Sequence, residues 1–242
     1  MNYALVTGAT SGIGLAVAEA LLKDGCFVFL NYAHNDSRAE GISSRLAEYN
    51  GRIGFIRADL SEYAGIDDIE AALRKEGIKL TYLVINFGAT DRTAFGEITV
   101  DKWERVMRAN VNVPFFLIQR LFASELFAIG ASVLCLSSLM ASIPHSVSVS
   151  YGVSKAALSA LSVNLVKFLA SAGIRINAVE PGFVDTPWQK GKPEDRRSRI
   201  ASKTALGRFA EPEEIADICL AALKNTYLAG SVIQISGGYG LT

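Results

Sequence analysis

Cysteine is scarce in this chain, whose 242 residues include only Cys26, Cys135 and Cys219. Three scattered cysteines in apolar runs fit neither a disulfide framework nor a zinc site, so we predict buried thiols and no metal. An excess of either charge is also lacking, because 24 Lys and Arg side chains balance 24 Asp and Glu side chains. The sequence therefore predicts no global electric field that would recruit nucleic acid or an anionic membrane.

Long apolar runs and targeting signals are missing as well. The most apolar region, 113–136, contains Gln119, Arg120 and Glu125, which predicts that it does not span a bilayer. The opening MNYALVTG has no basic start and no apolar stretch that ends in small residues, so we expect no signal peptide and a cytoplasmic protein. Half of the residues are apolar and a fifth are charged, which is typical of a globular chain.

Short β-branched or aromatic runs alternate with helical segments along the whole chain. The predicted strands are 3–7, 26–32, 52–58, 82–86, 132–137, 175–179 and 232–235. The predicted helices are 12–23, 36–49, 62–75, 101–127, 150–170 and 212–223. Nearly continuous apolar strands are typical of a sheet that is covered on both faces. We therefore predict one α/β domain over 1–242, a doubly wound Rossmann-type sheet of seven parallel strands with helices on both faces.

One connection, 182–210, is long and irregular, and such loops in a compact domain are often functional. Its apolar flanks and charged middle predict a mobile lid over a substrate site. The middle carries a basic run, which we interpret as a solvated face, with contact to an anionic substrate as the alternative. This run comprises Lys190, Lys192, Arg196, Arg197, Arg199 and Lys203.

The segment TGATSGIG, residues 7–14, joins the first predicted strand to the first predicted helix. Glycines at such a turn let the backbone approach a pyrophosphate, and the amides at the helix N-terminus bind its charge. An ordinary glycine-rich turn is the alternative, but the position in the first βαβ unit favours a dinucleotide site. The predicted contacts are Gly8, Thr10, Ser11, Gly12, Ile13 and Gly14.

The end of the second predicted strand lacks the carboxylate that would bind the ribose 2′-hydroxyl of NAD. It reads NYAH from Asn31 to His34, and the first acid is Asp36. A 2′-phosphate would not be repelled there, and His34 or Arg38 is placed to contact it. We therefore favour NADP(H), keeping NAD(H) and a simple solvated loop as alternatives.

Tyr151 and Lys155 are four residues apart, hence on one face of a helix. A tyrosine with a pKa of ~10 is a poor base at neutral pH. A neighbouring ammonium lowers that pKa and makes the pair a usable acid and base for carbonyl–alcohol interconversion. Ser138, at the end of the fifth predicted strand, is placed to bind the substrate oxygen, whereas Ser137 is expected to turn into the sheet.

These motifs together resemble those of the classical short-chain dehydrogenase/reductase family, over residues 3–238. The turn 7–14 matches the family pattern TGxxxGIG, Asn110 matches its catalytic asparagine, and Ser138, Tyr151 and Lys155 match the rest of its catalytic tetrad. The resemblance implies an oxidoreductase on a Rossmann-type fold. The further cofactor contacts that it implies are Asn31, His34, Asp59, Leu60, Asn86, Gly88, Tyr151, Lys155, Pro181, Gly182, Val184 and Thr186.

The resemblance also implies the role of each catalytic residue. Tyr151 exchanges a proton with the substrate oxygen, Ser138 polarises the carbonyl, and Lys155 lowers the tyrosine pKa and binds the nicotinamide ribose. Asn110 is implied to hold a water that links Lys155 to solvent. The chain departs from the family where NNAG becomes INFG at 85–88, which puts Phe87 near the cofactor, and where DGG becomes SGG at 236–238.

We predict interconversion of a ketone and a secondary alcohol on a moderately hydrophobic small substrate. A 3-oxoacyl-carrier-protein or polyketide ketoreductase is an alternative, and a carrier protein is less favoured because 127–130 and 170–173 contain no cation. A non-catalytic NADP(H)-binding regulator and an eliminating or epimerising enzyme are further alternatives. The predicted pocket wall is Phe87, Leu139, Met140, Pro144, His145, Phe183 and Trp188.

The two longest predicted helices carry more apolar positions than one sheet face needs, so we predict a homotetramer or homodimer. The positions are Val106, Val113, Leu117 and Leu121 on one helix, and Leu158, Leu161, Leu165 and Phe168 on the next.

Overall fold

Seven parallel strands form a single sheet in the computed structural model, which describes residues 1–144 and 147–241. The strands are β1 (Tyr3–Val6), β2 (Phe27–Tyr32), β3 (Ile53–Arg57), β4 (Leu80–Ile85), β5 (Phe127–Leu136), β6 (Arg175–Pro181) and β7 (Val232–Ile235). Their spatial order is β3-β2-β1-β4-β5-β6-β7, so the chain builds outward from β1 and then crosses to β4. The predicted Rossmann-type fold is confirmed.

Helices cover both faces of this sheet. They are α1 (Gly12–Lys23), α2 (Asp36–Arg45), α3 (Ala64–Glu76), α4 (Val100–Met107), α5 (Val113–Ala123), α6 (Val149–Asn164), α7 (Val166–Leu169), α8 (Glu194–Ala201) and α9 (Pro212–Lys224). One apolar layer lies under α1 and α9, and the other lies under α3, α5 and α6. The strands are apolar almost continuously because both of their faces are buried.

The helix predicted over 101–127 is wrong at two places. A π-helical turn, Arg108–Asn112, separates α4 from α5. Pro114 follows it and has no N–H to donate to the carbonyl of Asn110, so a regular α-helix cannot continue through this point. The helix then ends at Ala123, because Glu125 adopts a left-handed conformation with φ 54° and turns the chain into β5.

Other boundaries also differ from the prediction. Strand β5 begins at Phe127 and not at 132, and the helix predicted over 150–170 is divided into α6, α7 and the 3₁₀ turn Ala170–Ala172. The segment 36–49 ends as a helix at Arg45 and continues as the 3₁₀ turn Ala47–Tyr49. The connection 182–210 is not irregular throughout, since it contains the 3₁₀ turn Pro187–Gln189 and helix α8. A parallel bridge between Val184 and Ala210 joins the two ends of this connection, so it leaves and re-enters the domain at one place.

Apolar side chains on α5, α6 and α7 differ in exposure from our expectation. Val113, Leu117, Leu121 and Leu158 are fully buried within the chain, as is Val106 on α4, so they are not available to a second subunit. The apolar side chains that remain exposed on these helices are Phe116, Phe122, Val149, Val153, Val163 and Phe168.

The helical run Val149–Ala172 meets length and hydropathy criteria for a membrane span, with a mean hydropathy of 1.3. Its inner face packs on the sheet and buries Ser154, Lys155 and Leu158. A core helix passes the same criteria, and this packing is that of a core helix. The three cysteines are buried as predicted.

Two helical glycines differ sharply in the space around them. A Cβ at Gly14 would lie 2.5 Å from Asn86 Nδ2 and 2.6 Å from the Gly8 carbonyl oxygen, whereas a Cβ at Gly41 meets nothing within 4 Å. We expect Gly14→Ala to lower the free energy of unfolding by about 1–3 kcal/mol through overpacking. Gly41→Ala, the control, should raise it by up to about 1 kcal/mol through helix propensity. Urea denaturation measures both, and equal effects would contradict this account.

Candidate active site

A cleft of about 1030 Å³ opens along the carboxyl ends of the central strands. Its position follows from the topology, because neighbouring crossovers leave the sheet in opposite directions between β1 and β4 and so leave a crevice there. The glycine-rich turn, the ends of β4, β5 and β6, and the connection 182–210 all contribute to its walls. The predicted cofactor and catalytic segments therefore meet in one place.

The glycine-rich turn presents backbone to the cleft. Gly8 and Gly12 have φ values of 61° and 55°, a conformation that favours glycine. Helix α1 starts at Gly12 with no acidic residue in its first turn and no side-chain cap from Ser11. Thr10, Ser11, Gly12 and Ile13 line the cleft, whereas Gly14 packs against Asn86 and Gly8. A helix start of this kind, with no acidic residue and no side-chain cap, is suited to binding an anion.

The side chains of Thr7, Asn31 and Asn86 hold this turn in place through hydrogen bonds. Asn31 Oδ1 accepts a hydrogen bond from the Gly8 amide (3.2 Å), and Asn31 Nδ2 donates to the Ala58 carbonyl (3.0 Å). Asn86 Nδ2 donates to the carbonyls of Thr7 (2.9 Å) and Gly8 (3.1 Å). Thr7 Oγ1 accepts a hydrogen bond from the backbone N–H of Asn86 (2.9 Å). Asn31 is buried and outside the cleft wall, so the structure gives it a supporting position in place of the predicted direct contact.

The end of the cleft next to β2 is lined by Tyr32, Ala33, His34, Asn35 and Arg38. His34 Nε2 lies 2.9 Å from Asp59 Oδ2, so that ring nitrogen already has a partner. Asp59 and Leu60 lie behind the cleft wall.

The predicted catalytic side chains come together where β5 meets α6. Lys155 is buried, and its Nζ donates to the Leu136 carbonyl (2.7 Å) and lies 5.8 Å from the centre of the Tyr151 ring. Tyr151 shares a hydrogen bond with Ser138. Ser138 Oγ also accepts from the Met140 amide (3.1 Å), which fixes the short turn that follows it. Tyr151, Lys155 and Ser138 all line the cleft.

The protonation of this pair differs from our expectation. Burial raises the pKa of the Tyr151 phenol, and the hydrogen bond with Ser138 only partly opposes that effect. Burial also lowers the pKa of Lys155 to about 8. The predicted lowering of the tyrosine pKa by Lys155 is therefore not seen, because the cost of removing the charged groups from water dominates.

Asn110 lies behind Lys155 and does not reach the cleft wall. Its Nδ2 donates to the Ala89 carbonyl and to Ser154 Oγ, both at 2.8 Å, and its Oδ1 accepts from the Ala89 amide at 2.7 Å. A Cβ at Gly88 would lie 3.0 Å from Asn110 Oδ1 and 3.5 Å from Lys155 Nζ, so both groups border this glycine. The asparagine thus fixes the β4 loop against α6.

Sequence reasoning missed a buried carboxylate, Glu180, at the end of β6. It accepts hydrogen bonds from Ser142 Oγ (2.8 Å) and Ser159 Oγ (2.7 Å). Ser159 Oγ lies 2.8 Å from Ser137 Oγ, which donates to the Lys155 carbonyl (2.8 Å). Glu180 therefore ties the turn after Ser138 to the helix that carries Tyr151. The single acid in strand 175–181, next to apolar residues 178–179, was the available signal.

The predicted pocket wall is largely present. Phe87, Met140, Pro144, Phe183 and Trp188 line the cleft, whereas Leu139 is buried behind it. His145 lies outside the described residues. The Trp188 ring lies 6.1 Å from the Tyr151 ring, so the connection 182–210 contacts Tyr151. Pro181, Gly182, Val184 and Thr186 also line the cleft, and Thr186 packs on Gly12.

A cleft that combines a glycine-rich anion site with a Ser–Tyr–Lys group defines a nucleotide-dependent enzyme class, and comparisons with known proteins agree. A family model described as enoyl-(acyl carrier protein) reductase matches residues 8–240. An uncharacterized oxidoreductase of Methylorubrum extorquens is 33% identical over 243 residues, which cover 98% of this chain and 97% of that protein. The chain belongs to the short-chain dehydrogenase/reductase family.

Two further similarities concern proteins with more specific names. A cis-4-hydroxycyclohexanecarboxylate dehydrogenase of Sinomonas cyclohexanicum is 29% identical, over 98% of this chain and 96% of that protein. The crystal structure of an angucycline C-6 ketoreductase with bound NADP superposes with a TM-score of 0.91. It is 30% identical to this chain and the match covers 100% of this chain and 96% of that one.

The Glu180 contacts predict a measurable effect on stability. Glu180→Leu removes the carboxylate that accepts from the buried Ser159 hydroxyl and from the exposed Ser142 hydroxyl, and it should lower the free energy of unfolding by about 1–3 kcal/mol. Glu180→Gln keeps an acceptor oxygen and nearly the same volume, so its free energy of unfolding should fall by less than half as much. Denaturant titration of both variants is the measurement. A leucine variant as stable as the wild type would contradict the contribution we assign to these bonds.

Proposed function

We propose that this chain is an NADP(H)-dependent oxidoreductase that interconverts a ketone and a secondary alcohol on a moderately hydrophobic small substrate. The observation that carries the proposal is the hydrogen-bonded pair of Ser138 and Tyr151, which faces the same cleft as the glycine-rich anion site. Apolar side chains such as Phe87, Met140 and Trp188 surround the pair and suit an apolar substrate.

The dinucleotide, when bound, supplies or accepts the hydride. The hydroxyl groups of Ser138 and Tyr151 hold the substrate oxygen, and Tyr151 transfers the proton. The raised pKa of Tyr151 keeps its phenol protonated at neutral pH, which is the form that donates a proton during reduction. Lys155 holds a positive charge beside the site, and Asn110 fixes the loop behind it.

The residues of the cleft fit NADP(H). The amides at the start of α1 are free to bind the pyrophosphate, and Gly8 and Gly12 give it a close approach. Thr186, which packs on Gly12, and the neighbouring backbone of 181–184 line the cleft and are our candidates for the nicotinamide end. Arg38 is our candidate for the 2′-phosphate, because it lines the cleft while His34 is paired with Asp59. The angucycline ketoreductase with bound NADP supports NADP(H) as the cofactor.

A carrier-protein reductase is the second candidate, supported by the description of the matching family model. We favour a free small substrate because the start of β5 and the turn Ala170–Ala172 present no cation to an acidic carrier; Ile129 there is apolar and almost fully exposed. An intact Asn110, Ser138, Tyr151 and Lys155 supports catalysis over a purely regulatory role.

We further propose that the segment 182–210 is a lid that closes when ligands bind, because its Trp188 lies against Tyr151.

A homodimer or homotetramer is supported by the exposed Phe116, Phe122, Val163 and Phe168. Light scattering should therefore give a mass at least twice the 26.0 kDa of one chain. We expect a cytoplasmic enzyme.

Tyr151→Phe should reduce ketone turnover by at least a thousandfold, because it removes the transferable proton and keeps the ring that packs near Trp188. Its affinity for NADPH should stay within about threefold of the wild type. Nicotinamide absorbance and a fluorescence titration measure the two effects. Turnover within tenfold of the wild type would show that another group donates the proton.

Arg38→Gln should weaken NADPH binding about tenfold or more and leave NADH binding unchanged, since only NADPH carries the 2′-phosphate. Arg45→Gln is a matched control on the same helix, because Arg45 pairs with Glu19 and does not line the cleft. Equilibrium titration with both nucleotides is the measurement. Equal losses for NADPH and NADH would refute the assignment of Arg38.

A further inference from the structure

The basic run of the lid does not form a simple solvated face. Five of its six side chains line the cleft, and Arg92, from the loop after β4, lines it as well. We name this set the lid-side cation cluster; it comprises Arg92, Lys190, Lys192, Arg196, Arg199 and Lys203. Within residues 1–144 and 147–241, none of these six side chains forms an ion pair with a carboxylate.

Arg197 provides the contrast within the same helix. Its guanidinium bonds Asp185 at 2.8 Å and stacks 4.7 Å from the centre of the Phe209 ring, and it does not line the cleft. The outward side of α8 is therefore charge-balanced, whereas the side towards the cleft is not. Like charges gathered without a counter-charge raise the energy of the protein, and a bound anion relieves that cost.

Lys192 shows this repulsion most directly. It is half-buried and donates to Gln189, and burial together with Arg92, Arg196 and Arg197 lowers its pKa. No acidic group contributes to that effect among the described residues. Lys192 thus lies among cations from both the connection 182–210 and the loop after β4 that carries Arg92.

One member of the cluster, Lys192, is linked through neighbouring residues to Tyr151, and the connection that carries most of the cluster starts at the end of β6. Trp188 contacts the Tyr151 ring, and Gln189, which binds Lys192, is the next residue. The candidate 2′-phosphate residues follow β2, which is four strand positions from β6 in the sheet. At a strand spacing of about 4.8 Å, the ends of these strands are about 19 Å apart.

We propose that the lid-side cation cluster binds an oxyanion, a carboxylate or a phosphate, at the end of the substrate remote from its carbonyl. This inference rests on the proposed function and narrows its substrate class. A substrate whose carbonyl oxygen binds Ser138 and Tyr151 would extend past Trp188 to the cluster. The guanidinium groups of the arginines there can each form two hydrogen bonds to the oxygens of a carboxylate or phosphate. The similar dehydrogenase of Sinomonas cyclohexanicum, named for a hydroxy acid, supports a carboxylate.

The test compares acids with neutral partners of nearly the same shape. The pairs are levulinate with methyl levulinate, 4-oxocyclohexanecarboxylate with its methyl ester, and dihydroxyacetone phosphate with dihydroxyacetone. Reduction by NADPH gives kcat/KM, and titration of the NADP-bound protein gives a Kd that does not depend on turnover. We expect at least one acid to exceed its partner tenfold in both measurements. The pair that shows this preference distinguishes a carboxylate from a phosphate.

Variants that remove single positive charges show which residues cause the preference for the acid. Arg92→Gln, Lys192→Gln and Arg196→Gln should each reduce the acid-to-neutral ratio at least threefold and leave the neutral partner nearly unaffected. Lys75→Gln, on the exposed side of α3, is the control and should leave the ratio within about twofold. The ratio is insensitive to a general loosening of the lid, because loosening weakens both members of a pair.

Three results would overturn the inference. The first is that neutral compounds are reduced and no acid is preferred, which leaves the proposed function intact. The second is that the cluster variants weaken NADPH binding tenfold but not NADH binding, which assigns the cations to the cofactor. The third is that no acid binds better than its neutral partner and none of the compounds is reduced, in which case both proposals fail. Acid-selective binding without reduction would retain the subsite and reject only the oxidoreductase proposal.

Discussion

The site depends on one costly arrangement, a lysine ammonium that is buried at Lys155 with no carboxylate beside it in the described chain. Its Nζ bonds the Leu136 carbonyl, and it is 3% exposed. Burying a charge without a counter-charge is unfavourable, which is why the pKa of Lys155 falls to about 8. The neighbouring elements are arranged so that this group stays in place next to Tyr151.

Two sets of polar contacts hold that arrangement. On one side, Asn110 bonds the loop at Ala89 and the hydroxyl of Ser154, and its position follows from the π-helical turn before Pro114. On the other side, Glu180 bonds Ser142 and Ser159 and so joins β6 to the turn after Ser138. The positions of Ser138, Tyr151 and Lys155 therefore depend on buried partners from three different strands or loops. Buried polar groups of this kind restrict a site to one geometry when all of them are satisfied.

Much of the fold was predictable, because alternating apolar runs and helical segments require a parallel sheet with crossovers. The cofactor turn and the Tyr151/Lys155 pair were also predictable, since both depend on local spacing. The ends of several helices and strands could not be predicted. Glu125 adopts a left-handed conformation without being a glycine, and Pro114 interrupts a helix although the apolar pattern continues beyond it. The raised pKa of Tyr151 and the gathering of Arg92 with Lys192 depend on burial and on contacts distant in sequence.

The protonation of Tyr151 is the central claim, and NMR of protein labelled with ¹³C at the tyrosine ζ carbon measures it directly. Comparison with Tyr151→Phe assigns the resonance, and the chemical shift then reports ionisation of the phenol across a pH titration. The account predicts a phenol that stays protonated through neutral pH and ionises above the usual value of ~10. Ionisation below about pH 8 would contradict it, because the charge of Lys155 would then outweigh burial.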